Sequence, residues 1–367
     1  MKTLRNFYNG KRVLITGHTG FKGAWLAYLL ASWGADVTGV SLAPHTEPNL
    51  FSILRLSESV THHTQDILDY PGLLDAFTAH KPEIIFHLAA HAIVRDAYDT
   101  PKHTHETNIL GTVHVLEAIR ATPSVKAGVI VTTDKVYANA HEQSPARRTG
   151  SASRHFKESD PLGGVDPYSA SKAAADIVTT SYISSFFSPN SSRTLIAIAR
   201  SGNVIGGGDW GNDRLVPDLI RSVFEQHKPL IIRNPAAIRP WEFVLEPLYG
   251  YLLLGRGLFV GDAAMSSAWN FSPAQESYIT VETLIKESLA ILGRGKGSYT
   301  IISSPEKKEA PVLKLDNSKA RKLLGWRPLL NIQWTLQWTL KWYSAYYMNR
   351  EEIKAITKKQ MQDFFDL

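Results

Sequence analysis

Apolar residues along this chain fall into short continuous runs and stretches of helical spacing, and the two patterns alternate. Val13, Leu14 and Ile15 form a run of strand length, and Ala24, Leu26, Ala27, Leu29 and Leu30 follow at helical spacing. Further strand-like runs are Val37 to Ser41, Glu83 to His87, Gly128 to Thr133 and Thr194 to Ala199. Helical patterns lie between them, among them Thr112 to Arg120 and Tyr168 to Phe187. This alternation predicts an α/β fold: a Rossmann-like, doubly wound parallel sheet with right-handed crossovers.

From about Gly206 the pattern changes. Gly206 to Gly211 reads as a flexible, loop-like break. Helices, irregular segments and aromatic stretches follow. Trp334, Trp338 and Trp342 are spaced four apart, as on one helix face, and with Trp326 they are predicted to pack a smaller, mixed C-terminal lobe. The expected division is a dinucleotide-binding domain over 1–204, with a returning segment at about 229–247. A substrate domain takes 205–228 and 248–367. The stretch 141–156 reads as a surface loop between the later chemical motifs.

Between the first strand and the first helix stand Gly17, Gly20 and Gly23. A strand, a glycine turn and a helix start make a cradle for a dinucleotide pyrophosphate. Gly17 permits the tight turn, Gly20 lets the phosphates approach the backbone, and Gly23 lets the helix lie close to the sheet. NAD-binding folds commonly end the second strand in an acidic residue, and NADP-binding folds place an arginine nearby. Here the strand ends in Ser41, followed by Leu42, Ala43, Pro44 and His45. Ser41 can bond a ribose hydroxyl, and the choice between NAD and NADP stays open. Asp66, beside Ile67, is placed to meet adenine or to close a turn.

Composition narrows the function. A 367-residue chain, 44% hydrophobic, is long enough for two lobes. It has no cysteine, which excludes disulfides, thiolate metal sites and a cysteine nucleophile. The histidines form no compelling ligand set, so no metal is predicted. Met1 to Lys11 shows no secretory pattern, and no apolar run reaches the ~20 residues that span a bilayer. Tyr249 to Val260 comes nearest, and Arg256 interrupts it. A cytoplasmic protein without membrane partners is expected. The net charge of +6 mildly favours anionic ligands, but the basic residues are scattered, which disfavours nucleic acid.

Two Tyr-x-x-x-Lys spacings occur. Tyr98 to Lys102 contains Pro101, which breaks helical geometry. Tyr168 to Lys172 opens a clean helical pattern, so both side chains share one face. There the lysine is expected to stabilise a phenolate and make Tyr168 a usable base. Thr133, Asp134 and Lys135 follow a strand at the edge where such sheets bind ligands. Thr133 is expected to orient a carbonyl or alcohol beside Tyr168, and Asp134 and Lys135 offer an acid and a base side by side.

These motifs resemble an extended short-chain dehydrogenase/reductase of the nucleotide-sugar dehydratase and epimerase group. The resemblance includes His87-Leu88-Ala89-Ala90, Thr107-Asn108, Thr133 to Tyr137, Tyr168 with Lys172, Arg200 to Trp210, Asp213 to Asp218 and Ile238 to Trp241. Gly206 to Trp210 and Arg239-Pro240-Trp241 point within that group to the CDP-glucose 4,6-dehydratase family. The resemblance implies that Tyr168 takes the 4-hydroxyl proton while hydride passes from C4 to NAD. Asp134 then protonates the departing 6-hydroxyl, Lys135 removes the C5 proton, and the hydride returns to C6. Carried over by position, Gly17, Thr19, Gly20, Phe21, Gly23, Ser41, Asp66, Ile67, Ala89, Asn108, Tyr168 and Lys172 hold the cofactor. Asn108 also supports the hydrogen-bond network of the site. His91, Arg95, Asn203, Arg214, Leu215, Pro217, Arg233 and Arg239 meet the nucleotide sugar, for which CDP-glucose is expected. Asn203, Arg233 and Arg239 would grip its pyrophosphate. The superfamily implies a homodimer, or a tetramer, through helices 112–120 and 168–187. His91 and the stretch 141–156 depart from the family pattern, which keeps a different sugar or base open. A 4-epimerase of the same group needs Tyr168 and the dinucleotide without Asp134 and Lys135. A dinucleotide-binding regulator would need none of the catalytic set.

Overall fold

The computed structural model describes residues 2–138, 155–189, 192–293, 297–302 and 314–367. Of the stretch 141–156 only His155 and Phe156 are among them, so its expected place over the sugar lies outside the described residues.

Six strands are laid down first: β1 (Arg12–Thr16), β2 (Asp36–Ser41), β3 (Thr61–Thr64), β4 (Ile84–His87), β5 (Ala127–Val131) and β6 (Leu195–Ser201). Three short strands follow, β7 (Asn203–Ile205), β8 (Leu230–Ile232) and β9 (Ile238–Phe243). The last are β10 (Ala268–Phe271), β11 (Tyr278–Thr280) and β12 (Tyr299–Ile301). The large sheet runs β10-β6-β5-β4-β1-β2-β3, and every neighbouring pair in it is parallel. Its order turns back between β1 and β4, the switch point where doubly wound sheets open a crevice. The central strands are apolar on both faces because helices cover both; β4 and β5 are buried along their whole length. The largely apolar helix Leu245–Phe259 packs across β4, β5 and β6.

Two small sheets stand beside this one: β11-β9-β7 and β12-β8. The stretch 229–247, expected to return to the dinucleotide-binding domain, supplies β8 and β9 of the small sheets. β10 makes the return instead, parallel to β6. Its Trp269 and Phe271 are fully buried, as a covered parallel strand requires, whereas the earlier stretch carries Arg233, Arg239 and Glu242.

Two expectations about the second half are corrected. Gly206 to Gly211 is a packed turn, not a flexible break: all six residues are buried. A Cβ on Gly207 would sit 2.0 Å from the Trp342 ring. Trp210 lies among Trp342, Tyr343 and Tyr346. Secondly, Trp334 is 53% exposed, although Trp342 and Trp326 are fully buried and Trp338 packs on Phe243. A step of four residues overshoots a helical turn by about 40°, so the start of the helix Ile332–Met348 rotates Trp334 out to solvent.

Candidate active site

The carboxyl ends of β1, β4 and β5 converge on the crevice. After β1, Gly17 takes φ +78°, and a Cβ there would lie 2.6 Å from the Ala89 backbone nitrogen. A Cβ on Gly23 would lie 2.1 Å from the Gly17 carbonyl. Gly20 differs, since a Cβ there would meet only the Gly17 oxygen at 3.4 Å, which leaves its outer side open. Gly20 precedes the helix Phe21–Ser32 and no side chain caps that helix. Its first N–H groups are therefore left for an anion. These are the properties a pyrophosphate cradle needs.

At the end of β2, Thr19 donates its hydroxyl proton to the Leu42 carbonyl at 3.0 Å. Ser41, 2.7 Å from Thr19, must then donate to Thr19. Ser41 is left with acceptor lone pairs only, which suits a free ribose hydroxyl and not a phosphate. Asp66 spends one carboxylate oxygen on the Leu68 N–H, closing a turn, and Ile67 is buried against Gly111.

Beneath the cradle lies His87, buried, between Thr16 (Nδ1, 2.7 Å) and Thr112 (Nε2, 3.1 Å). Thr112 gives its proton to the Asn108 carbonyl, so His87 carries its own proton on Nε2. Burial first, then the Lys172 charge, push its pKa down to about 3, so the ring is neutral. Asn108 accepts from the His91 N–H at 2.8 Å and donates to the His91 carbonyl and to Ser171 Oγ. Both amide protons are spent, which makes Asn108 a brace between the loop after β4 and the helix Pro167–Ser185. It supports the network as expected, but it has no donor left for a cofactor. The His91 ring turns to Thr104, 2.8 Å away, and packs on His103.

Beyond β5, Thr133 caps a short turn over Asp134–Val136 and donates to Asp134 Oδ1 at 2.9 Å. The half-buried Tyr168 phenol lies near that hydroxyl, which lowers its pKa. Asp134 is buried and its Oδ2 has no partner among the described residues. Lys135 reaches Oδ1 at 3.6 Å.

The expected lysine effect on Tyr168 is corrected here. Burial raises the Tyr168 pKa, and the first group opposing that is Lys135, followed by Thr133; Asp134 raises it and Arg214 lowers it. Lys172 is buried and donates to the Val131 carbonyl at 2.8 Å. Burial, with Lys22 as the next cause, pushes its ammonium down to about 8. The second tyrosine-lysine spacing is broken as expected: one helix ends at Asp99 and the next starts at Pro101.

The arginines on the substrate side are already engaged with acids. Arg95 meets Asp213 at 2.7 Å, and Arg233 meets the same oxygen at 3.7 Å. Arg214 holds Asp209 at 2.9 Å and acts electrostatically on Tyr168. Arg239 is buried and donates to the Ile238 carbonyl. Asn203 Oδ1 is buried with no hydrogen-bond partner among the described residues. In the helix Leu215–Arg221, Pro217 is buried and Leu215 packs on the core.

Four residues of the site were not read from the sequence. Arg200 makes a bidentate, buried pair with Asp176 and also donates to the Tyr137 hydroxyl at 2.8 Å. Asp176 further accepts from Thr132. This network fixes the catalytic turn to the helix that carries Tyr168. Its signal was Asp176, one helical turn after Lys172. Lys22 and Glu242 enter the pocket behind Asp134. Their signals were a cation at a helix N-terminus, against the dipole, and an acid inside an apolar strand.

The strand order, the glycine turn and the pocket that gathers Thr133, Asp134 and Tyr168 define an extended short-chain dehydrogenase/reductase. Residues 14–339 match the family model described as GDP-mannose 4,6 dehydratase, and the chain belongs to that family. Over 363 residues it is 41% identical to the CDP-glucose 4,6-dehydratase of Salmonella typhimurium, covering 98% of each chain. It is 27% identical to the dTDP-glucose 4,6-dehydratase of Neisseria gonorrhoeae, over 87% of this chain and 91% of that one. The dTDP-glucose 4,6-dehydratase of Streptomyces venezuelae, solved with NAD bound, shares the fold with a TM-score of 0.75. It is 22% identical and covers 94% of this chain and 99% of its own. The UDP-glucose 4-epimerase of Thermotoga maritima gives 0.74 at 22% identity, over 90% of this chain and 98% of its own.

Proposed function

We propose that this chain is an NAD-dependent hydro-lyase that converts CDP-glucose to CDP-4-keto-6-deoxyglucose. The observation that carries the reading is Asp134, buried, held by the Thr133 hydroxyl and with Oδ2 unpartnered among the described residues, beside Tyr168. The group that would protonate O6 thereby stands next to the group that would take the 4-hydroxyl proton. The relative at 41% identity supports cytidine as the base.

The cradle of Gly17, Thr19, Gly20, Phe21 and Gly23, with Ser41, Asp66, Ile67, Ala89, Tyr168 and Lys172, would hold NAD; the acceptor-only Ser41 supports NAD over NADP. When bound, NAD supplies an acceptor for the C4 hydride and gives that hydride back at C6. Tyr168 removes the 4-hydroxyl proton. Lys135 takes the C5 proton that the 4-keto group acidifies. Asp134 presents its unpartnered Oδ2 to O6 and protonates it, so that water leaves. Asn203, Arg233 and Arg239 would receive the diphosphate, with Arg95 and Arg214 exchanging their aspartates for it. The segments after Ile205 form the substrate side of the crevice, apart from β10 and the helix Leu245–Phe259.

No described helix is long and apolar enough to cross a membrane. A cytoplasmic homodimer completes the reading. The exposed Ile177, on one of the two helices implied by the superfamily, supports it, and sedimentation equilibrium tests it.

The deciding experiment is mass spectrometry of products from CDP-glucose, dTDP-glucose, UDP-glucose and GDP-mannose. A product lighter by one water, formed fastest from CDP-glucose, is expected. A product of unchanged mass would make the protein an epimerase. Tyr168→Phe is expected to lower turnover by about 10²–10⁴-fold, as loss of a general base does.

A further inference from the structure

Tyr137 closes the stretch that begins at Thr133, and the scheme above gives it no work. It is fully buried, and its ring stacks on Phe156 at a centroid distance of 5.0 Å. Its hydroxyl is held on two sides. It accepts from the Arg200 guanidinium at 2.8 Å and donates to Asn270 Oδ1 at 2.6 Å. Asn270 stands opposite Arg200 in the register of β10 with β6, so the two side chains share one face of the sheet.

Asn270 is fully buried and both of its amide protons are spent. Nδ2 donates to the Phe156 carbonyl at 2.9 Å and to the Asp316 carbonyl at 3.3 Å. Its backbone N–H donates to Glu158 Oε1 at 3.0 Å. The neighbours fix which way the amide faces. Two carbonyls need the NH₂, and the Tyr137 hydroxyl, already accepting from Arg200, has its proton to give to the oxygen. Phe156 is tied in turn to the C-terminal lobe: its N–H donates to the Lys314 carbonyl, and its carbonyl accepts from the Asp316 N–H. One side chain therefore joins the end of the catalytic turn to the segment at Phe156 and Glu158 and to residues 314–316.

This tie bears on Asp134. The groups that touch its Oδ1, Thr133 and Lys135, belong to the same turn, and its buried Oδ2 has no hydrogen-bond partner among the described residues. The aim of Oδ2 is therefore inherited from the backbone of Asp134–Val136. At one end that backbone is anchored to the sheet, through the Thr132 N–H on the Ala199 carbonyl. At the other it is anchored by the Tyr137 hydroxyl. Gly163 adds a bond to the Val136 carbonyl, and Ala138 one to the Pro161 carbonyl. Both of those partners lie on the segment that Asn270 holds at Phe156 and Glu158. Tyr168 depends on other ties. Its helix Pro167–Ser185 is fixed by Lys172 on the Val131 carbonyl, by Ser171 with Asn108 and by Asp176 with Arg200.

We propose that Asn270, acting through the Tyr137 hydroxyl, is a positioning residue for water loss: it sets where the turn presents Asp134 to O6, and it does not set the C4 oxidation at Tyr168. The inference rests on the dehydratase reading. Neither Asn270 nor Tyr137 touches the reacting atoms. A reacting group misplaced by about 1 Å costs up to about 10²-fold in rate. A phenylalanine at 137 keeps the ring in its stack and releases the turn from Arg200 and Asn270 at once.

Single turnovers with CDP-glucose and saturating NAD read the two steps apart. The rise in absorbance of the reduced nicotinamide follows C4 oxidation, and quenched mass spectrometry follows loss of water. In Y137F the oxidation rate is expected to stay within about threefold of the parent, while water loss slows about 10- to 100-fold. Reduced nicotinamide then persists longer by the same factor, because the hydride cannot go forward until C6 has lost its hydroxyl. N270A is expected to show the same split. The double variant Y137F/N270A should lose no more than about threefold beyond N270A alone, since both substitutions cut one tie. An equal loss in both steps, no loss in either, or losses that multiply in the double variant overturn the proposal. If Y137F does not fold, N270A decides by the same split. A parent enzyme that dehydrates none of the nucleotide hexoses overturns the dehydratase reading itself.

Discussion

The chain has two glycine-rich stretches, and they use glycine for opposite ends. In Gly17 to Gly23 the missing side chains keep backbone close to backbone and leave one side, at Gly20, open to a ligand. In Gly206 to Gly211 the space is filled by rings and alkyl groups: Trp342 covers Gly207, and Leu50 covers Gly208. The two stretches also touch. The Trp25 indole, from the helix after the first, donates to the Gly207 carbonyl at 2.9 Å, and a Cβ on Gly206 would lie 3.2 Å from the Phe21 ring. One stretch is a cradle and the other is a floor beneath it. A glycine run thus carries no single meaning. What decides is whether the neighbour at van der Waals distance is backbone, a side chain or solvent.

The contrast is sharpest at Gly207. Gly207→Ala is expected to cost about 3 kcal/mol, the upper range for overpacking, because the Trp342 ring has no room to retreat. Denaturant unfolding measures it. In a Trp342→Leu background the same alanine should cost less than about 1 kcal/mol, since the obstacle is a side chain. Gly23→Ala meets the Gly17 carbonyl, and no second substitution should rescue it. Equal rescue at both sites would erase the distinction.

Acid should separate the regions next. His18 and His87 lie in and under the cradle, both buried, and burial pushes each down to about 3 from 6.5. The unfolded chain takes up protons on both as pH falls through 6.5, while the folded chain does not. Stability is therefore retained above pH 6.5 and lost progressively below it. At pH 5 the loss is about 2 kcal/mol for each ring. Unfolding curves at pH 7 and pH 5 check this, and His87→Gln should remove about half of the difference. Identical curves would show that the rings protonate without cost.

The smallest effect is expected at Gly20. Gly20→Ala should change stability by less than about 0.5 kcal/mol, as at an open site. It should still weaken NAD binding about tenfold, about 1.4 kcal/mol, by placing a methyl where the pyrophosphate approaches. Calorimetric titration with NAD reads it, and undiminished affinity would move the cradle's ligand elsewhere.

The sequence by itself placed the first strands of the large sheet, the glycine turn, and Thr133, Asp134, Lys135, Tyr168 and Lys172 on the elements that carry them. Those depend on local rules: strand and helix periods, glycine spacing and a one-turn offset along a helix. The break in the false pair Tyr98 and Lys102 was legible for the same reason, because Pro101 acts on its own backbone. Only the tertiary structure decided that Gly206 to Gly211 is packed, that Trp334 faces solvent and that β10 closes the large sheet. It also decided that the cation nearest Tyr168 in effect is Lys135, and that Lys22 and Glu242 stand behind Asp134. Each of these depends on residues far apart in the chain meeting in one place. Burial and charge are properties of that meeting, and no window of neighbouring residues contains them.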